Sequence, residues 1–153
     1  MSDSSLAGQK PPATLLPNLP VVLADYYTQP HAAEHEGHVV FGTSGHRGQA
    51  SAGTFNEPHV LAITQAICDL RKQFGATGPL FLGKDTHALS EVAFRSALGV
   101  LAANKVETRI DDDLGFTPTP VISHAILGHN AKNPDSRADG IVITPSHNPP
   151  ADG

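Results

Sequence analysis

Cysteine is nearly absent from the chain. The 153 residues hold only Cys68, so no internal disulfide can form and nothing calls for an oxidising compartment. Basic residues are scarce as well: 10 lysines and arginines stand against 15 aspartates and glutamates, a formal net charge of −5. That balance argues against a general nucleic-acid binder or a binder of anionic membranes, whose footprint is basic. Long apolar runs are missing, and none approaches the length needed to cross a bilayer. The opening MSDSSLAGQKPP places Asp3 and two prolines where a secretory signal requires a continuous apolar stretch. The expectation is a cytoplasmic protein with no membrane and no nucleic-acid partner. What is present is 39% hydrophobic and 16% charged residues, in a chain the length of one domain. A domain of this size buries about 68–70% of the surface its unfolded chain exposes.

Five of the 13 prolines fall in the first thirty residues, so residues 1–38 read as an arm and linker. One short helix is expected within it, from Pro20 to Tyr27, with Val21, Val22, Leu23 and Tyr26 packing on a neighbour. The segment His31 to His38 reads as a polar connector. Its histidines His31, His35 and His38 have metal-like spacing, but Pro30 and Gly37 favour a linker over a ligand helix.

From residue 39 onward the texture is that of a folded domain. Val39-Val40-Phe41 predicts a strand. A helix follows, capped by Asn56 and ended by Gly75, with Val60, Ile63, Ile67, Leu70 and Phe74 as its apolar face. Leu80-Phe81-Leu82 predicts a strand, and a helix starting near Ser90-Glu91 carries Phe94, Ala97, Leu98 and Leu101. Val106 to Ile110 predicts a third strand, and Asp111-Asp112-Asp113 a solvated loop. Thr119-Pro120 opens a helix stopped by Gly128, and Ile141-Val142-Ile143 predicts the last strand. Cys68 is expected in the core or at its boundary, and His124 and His129 at the surface or at a boundary. Alternating strands and helices predict an α/β fold, a mixed or largely parallel sheet with helices on both faces.

Three loops leave the carboxyl ends of strands, where open α/β sheets bind ligands. The first, GTSGHRG, combines three glycines that admit close backbone approach with Arg47, whose planar fork suits phosphate. It is neither a GxxxxGK[ST] phosphate loop nor a GxGxxG fingerprint, and a plain glycine-rich turn would look similar. The second is GKDTHALS. The third, TPSHNPP, has three prolines that stiffen the backbone around Ser146 and His147; it reads as rigid presentation of a nucleophile or modified side chain, or as a proline-stiffened turn. A serine hydrolase is disfavoured because no GxSxG elbow occurs. Adjacent residues such as Ser146 and His147 also seldom point at each other well enough to form a nucleophile–base pair.

GTSGHRG, GKDTHALS, GFTPTP and ADGIVITPSHNPPADG together resemble the N-terminal part of the α-D-phosphohexomutases, and within them the bacterial type of phosphoglucomutase. The likeness runs from Val39 to Gly153. It implies that residues 39–153 form the first domain of that family. Ser146 would carry the transferable phosphoryl group, adding about −1.5 to −2 charge. Mg²⁺ would bind one phosphoserine oxygen, so that Ser146 becomes a metal ligand through its phosphate. The implied reaction interconverts glucose 1-phosphate and glucose 6-phosphate through glucose 1,6-bisphosphate. Thr43, Ser44, Gly45, His46 and Arg47 would form a phosphate-binding loop, Arg47 stabilising transition-state charge. His147 would donate a hydrogen bond in the site, and Lys84 and Asp85 would be structural.

Relatives have four domains, whereas this sequence stops just past the serine loop. The acidic DxDxD loop, the lysine downstream of SHNP and the helix that closes the first domain are expected beyond Gly153. The chain by itself is therefore expected not to turn over substrate. Some relatives pair through this domain, which allows a homodimer here; the alternative reading is a non-catalytic fragment serving as an association module.

Overall fold

A computed structural model of the chain describes residues 7–30, 38–43, 45–149 and 151–153. The connector histidines His31 and His35 and the loop residues Ser44 and Pro150 lie outside them. Seven elements follow one another: α1 (Leu19–Thr28), α2 (Glu57–Gln73), β1 (Leu80–Lys84), α3 (Ala88–Ala103), β2 (Thr108–Arg109), α4 (Thr119–Lys132) and β3 (Asp139–Ile143). The three strands form one parallel sheet in the order β2-β1-β3. β1 and β3 pair along their full length, from Leu80 beside Asp139 to Lys84 beside Ile143.

Strand periodicity sorts the side chains between two helical layers. Leu80, Leu82, Ile141 and Ile143 pack toward α2 and α3, where Cys68, Phe94 and Leu101 complete the core. The opposite face carries Phe81, whose ring meets that of His129 on α4. It also carries Gly83 and Gly140, and α4 lies close upon them. A Cβ at Gly83 would sit 2.8 Å from an Ile122 carbon, and one at Gly140 2.8 Å from Ile126. The expected helices on both faces are thus present. A second cluster joins Tyr26 of α1 and Phe55 to Val60, Leu89, Ala93 and Ala97. The fully buried Tyr26 hydroxyl donates to Ser96 Oγ at 3.1 Å, and burial pushes its pKa well above the ordinary tyrosine value, a shift that the Ser96 bond only partly offsets.

Four expectations need correction. Val39-Val40-Phe41 is no strand: its side chains are exposed and, among the described residues, its only β-pairing is an isolated antiparallel bridge between Phe41 and His46. The buried face of α2 is His59, Val60, Thr64, Cys68 and Arg71, while Leu70 and Phe74 face outward. Polar side chains occupy that face because each is satisfied there. Thr64 donates to the Val60 carbonyl at 2.7 Å, and Arg71 pairs with Asp139 and the Gly78 carbonyl. The third strand contracts to Thr108–Arg109, paired only with Leu80 and Phe81. Gly128 does not end α4, which continues to Lys132: it is not among the positive-φ glycines, and a glycine inside a helix is tolerated at a cost of about 1 kcal/mol. By contrast Asn56 does precede α2, and Gly75 at φ +65° does follow its end.

Lys84 is the most unusual core residue. It is 2% exposed, its ammonium sits 4.6 Å from the centre of the Phe94 ring, and it pairs with Glu91, which also binds Arg95 at 2.7 Å. The hydrogen bond from Lys84 is the main reason that the Glu91 carboxyl is held below its ordinary pKa, against a smaller upward push from burial. Removing the anion strands a buried cation, whereas removing the cation leaves Glu91 at the surface with Arg95. Glu91→Gln is therefore expected to lower unfolding free energy by about 2 kcal/mol, less than for a fully enclosed pair because Glu91 is partly solvated. Lys84→Met should cost clearly less. Urea unfolding of both variants checks this ordering. Since Glu91 titrates below its unfolded value, the pair's contribution is complete above the ordinary glutamate range and is lost as pH falls through the depressed pKa.

Candidate active site

Ser146 stands just beyond the carboxyl end of β3, on a turn closed by the Asn148 amide donating to the Pro145 carbonyl at 3.1 Å. Its φ is +61°, one of three non-glycine residues with positive φ among those described. This left-handed conformation is costly for a residue with a Cβ. It is fixed here by the chain around it. The Ser146 amide donates to Thr144 Oγ1 at 2.9 Å, and the Thr144 hydroxyl donates to Asp85 Oδ2 at 2.7 Å. Asp85 Oδ1 accepts from Ser90 Oγ at 2.6 Å and from the His87 amide at 3.0 Å. The Asp85 amide in turn donates to the Ile143 carbonyl at 3.1 Å, continuing the strand pairing one step further. Burial raises the Asp85 pKa, but the bonds from Ser90, Thr144 and His87 outweigh it and hold the carboxyl below its ordinary value.

The exposed Ser146 hydroxyl lies 3.1 Å from Nδ1 of His147. The two neighbouring side chains thus do come within hydrogen-bonding distance, contrary to what adjacency suggests. Among the described residues no third group is recorded on the other His147 nitrogen, so a serine–histidine–carboxylate triad is not assembled.

The GTSGHRG loop is held against the serine loop by a short antiparallel contact. The Gly48 amide donates to the Gly153 carbonyl at 3.2 Å, and the Gly153 amide returns the bond at 2.7 Å. Gln49 Nε2 adds a bond to Asp152 Oδ1 at 2.6 Å. Only glycine fits at position 48, where a Cβ would lie 2.3 Å from the Thr54 carbonyl. Inside the loop the Gly42 amide donates to the Gly45 carbonyl at 2.8 Å. The His46 ring is a strut. Its Nε2 donates to the Thr54 carbonyl at 2.8 Å, its Nδ1 takes the Val40 amide at 3.3 Å, and it stacks on His59 with ring centres 5.1 Å apart. Both ring nitrogens are thus occupied, and a phosphate at this position would meet backbone rather than imidazole. Arg47 and Thr43 are exposed; Arg47 makes no ion pair among the described residues.

Of the residues marked out by sequence, the structure brings Ser146 and His147 together and joins their loop to the GTSGHRG loop at Gly48. Lys84 and Asp85 are structural in different ways: Lys84 is buried in the core, whereas Asp85 reaches Ser146 through Thr144. Thr144 was not singled out by sequence. Its signal is the spacing Thr-Pro-Ser, in which a hydroxyl two residues before an amide can form a local turn. No group of three or more His, Cys, Asp or Glu side chains among the described residues could hold a metal ion. Asp111 accepts the amides of Asp113 and Gly115 in an exposed turn, as expected of a solvated loop.

A parallel α/β domain with a serine loop and a glycine-rich loop joined at one sheet end defines the class. Residues 38–153 match the model of phosphoglucomutase/phosphomannomutase, alpha/beta/alpha domain I; the chain belongs to this family. A phosphoglucomutase of Komagataeibacter xylinus is 56% identical over 153 residues, covering 99% of this chain and 28% of that protein. Phosphoglucosamine mutases of Prochlorococcus marinus and Marinobacter nauticus are 34% and 36% identical over 113 and 110 residues, each match covering 22% of the relative. The chain thus spans between a fifth and a third of the length of these relatives. No helix among the described residues is long and apolar enough to cross a membrane.

The strain at Ser146 is testable as stability. Ser146→Gly relieves the left-handed cost and should raise unfolding free energy by about 0.5–1 kcal/mol. Ser146→Ala keeps the Cβ in the same conformation and should bring no gain. Thermal unfolding of the two variants separates them; equal stabilities would mean that no strain is stored there.

Proposed function

We propose that this chain is the phosphoryl-carrying part of a phosphoglucomutase, with Ser146 as the carrier. The observation that carries the reading is the exposed Ser146 hydroxyl, presented on a strained turn at the sheet end within a family match spanning residues 38–153. The reaction interconverts glucose 1-phosphate and glucose 6-phosphate. A free sugar hydroxyl gives up its proton to a base supplied by the rest of the enzyme and attacks the phosphorus of phosphoserine; a new P–O bond forms and the bond to Ser146 Oγ breaks, giving glucose 1,6-bisphosphate. That intermediate turns over, and its other phosphate returns to Oγ. His147, 3.1 Å from Oγ, is placed to hand a proton to the oxygen as phosphorus leaves and to take it back on return. Arg47 supplies a planar cation to the equatorial oxygens. The backbone of Thr43, Gly45 and His46 lines the loop beside it.

The preference for glucose rests on the 56% identity to a phosphoglucomutase, against 34% and 36% to phosphoglucosamine mutases. Mg²⁺ bound to the phosphoserine would draw charge from the phosphoryl oxygens. Ser146, once phosphorylated, would offer it a phosphate oxygen, and the described residues hold no group of three or more His, Cys, Asp or Glu side chains that could bind it. The setting is the cytoplasm, in keeping with one buried, unpaired thiol.

A chimera tests the reading. This chain replaces the matching segment of the Komagataeibacter xylinus enzyme, and glucose 6-phosphate formation from glucose 1-phosphate is followed with Mg²⁺ and a trace of bisphosphate. Turnover that falls by about 10³-fold or more on Ser146→Ala, as for loss of a covalent nucleophile, is expected. A folded chimera without activity, or activity that survives Ser146→Ala, contradicts it.

A further inference from the structure

We propose that Asp85 is a positioning residue for phosphoryl transfer: through the Thr144 hydroxyl it fixes Ser146 in the left-handed conformation from which its side chain is presented. The inference rests on the reading of Ser146 as phosphoryl carrier, and it goes beyond it by assigning a role to Asp85, outside the serine loop, and to Thr144, the loop's first residue.

The polarity of the chain of bonds carries it. A threonine hydroxyl has one proton and lone pairs to spare. Asp85 Oδ2, 2.7 Å away, is an acceptor only when ionised, so it takes that proton. Thr144 Oγ1 is then left as an acceptor, aimed at the Ser146 amide 2.9 Å away. With no carboxylate the hydroxyl could rotate, and its proton could point at the amide that now needs an acceptor. Asp85 is itself immobilised by Ser90 Oγ, the His87 amide and its own amide bond to Ile143. The start of α3, the end of β1 and the end of β3 therefore converge on one backbone amide. That amide belongs to a residue at φ +61°, a conformation that lapses readily once its support is removed. The depressed pKa of Asp85, in which hydrogen bonds prevail over burial, keeps the carboxylate ionised at neutral pH.

The test compares the 153-residue chain with Thr144→Val, Asp85→Asn and Thr144→Ser by NMR. Positive φ brings the Ser146 amide proton close to its own Hα, giving a strong intraresidue cross-peak. The native chain should show that signature. Thr144→Val and Asp85→Asn should lose it and exchange the Ser146 amide about tenfold faster, as for one hydrogen bond of ordinary net strength. The amides of β3 should stay protected, and Thr144→Ser should restore the native signals. In the chimera, the same two losses should lower kcat while leaving KM for glucose 1-phosphate unchanged. A Ser146 that keeps its signature in both loss variants, or a kcat that does not move when the signature is lost, overturns the inference. Should Thr144→Val fail to fold, Asp85→Asn and Thr144→Ser carry the same comparison. If Ser146→Ala retains turnover, the carrier reading has failed; the NMR arm still decides whether Asp85 sets the backbone.

Discussion

Parallel pairing of β1 with β3, in a register that sets Leu80 beside Asp139 and Lys84 beside Ile143, brings together two loops that leave the same sheet end. Asp85 and Thr144 are 59 positions apart in sequence, yet each is the first residue past its strand, and they share a 2.7 Å hydrogen bond. A shift of either strand by one residue would turn Thr144 to the opposite face and break that bond. The pairing is enforced from both sides. Leu80, Leu82, Ile141 and Ile143 are packed by α2 and α3, while α4 rests on Gly83 and Gly140 at a distance that allows no side chain there. The position of a surface serine is therefore set by the core beneath it.

The same economy of position explains the polar residues inside. Lys84, Arg71, His59 and Thr64 are buried, and each is tied to another element or to its own helix. Arg71 fastens α2 to the first residue of β3, and Lys84 fastens the end of β1 to α3. Asn56 Nδ2 donates to the Gln29 carbonyl at 3.2 Å and fastens the start of α2 to the end of α1. These bonds specify arrangement more than they add stability, since buried charges give back much of their attraction in lost hydration. Their common effect is to hold the sheet end rigid where Ser146 emerges.

Much of this was legible in the sequence, for identifiable reasons. Leu80 to Leu82 and Ile141 to Ile143 are runs of apolar residues ended by polar motifs, and both are strands that lead into site loops. Phe94, Ala97 and Leu101 keep helical spacing and are buried as read. The family resemblance, carried by the loop motifs, agrees with the match over residues 38–153. What was not legible depends on partners far along the chain. Val39 to Phe41 has strand-like composition but no neighbouring strand to pair with. Leu70 and Phe74 continue an apolar periodicity, yet the face that packs is chosen by Arg71 and Asp139, 68 positions apart. Neither the contact between Ser146 and His147 nor the positive φ of Ser146 is encoded in a side-chain pattern. The bond between Asp85 and Thr144 was not legible because the two lie 59 positions apart, past the ends of different strands.

At the site, a serine at positive φ with a histidine beside it stands at a sheet end to which an arginine-bearing loop is joined. The central claim is that the phosphoryl group resides on Ser146 during turnover. The most direct measurement is tandem mass spectrometry of the chimera quenched during turnover of glucose 1-phosphate with Mg²⁺. The account predicts phosphate on the peptide containing Ser146, localised to that residue, and absent from Ser146→Ala. Phosphate on any other residue, or an active enzyme that never carries phosphate on Ser146, would contradict it.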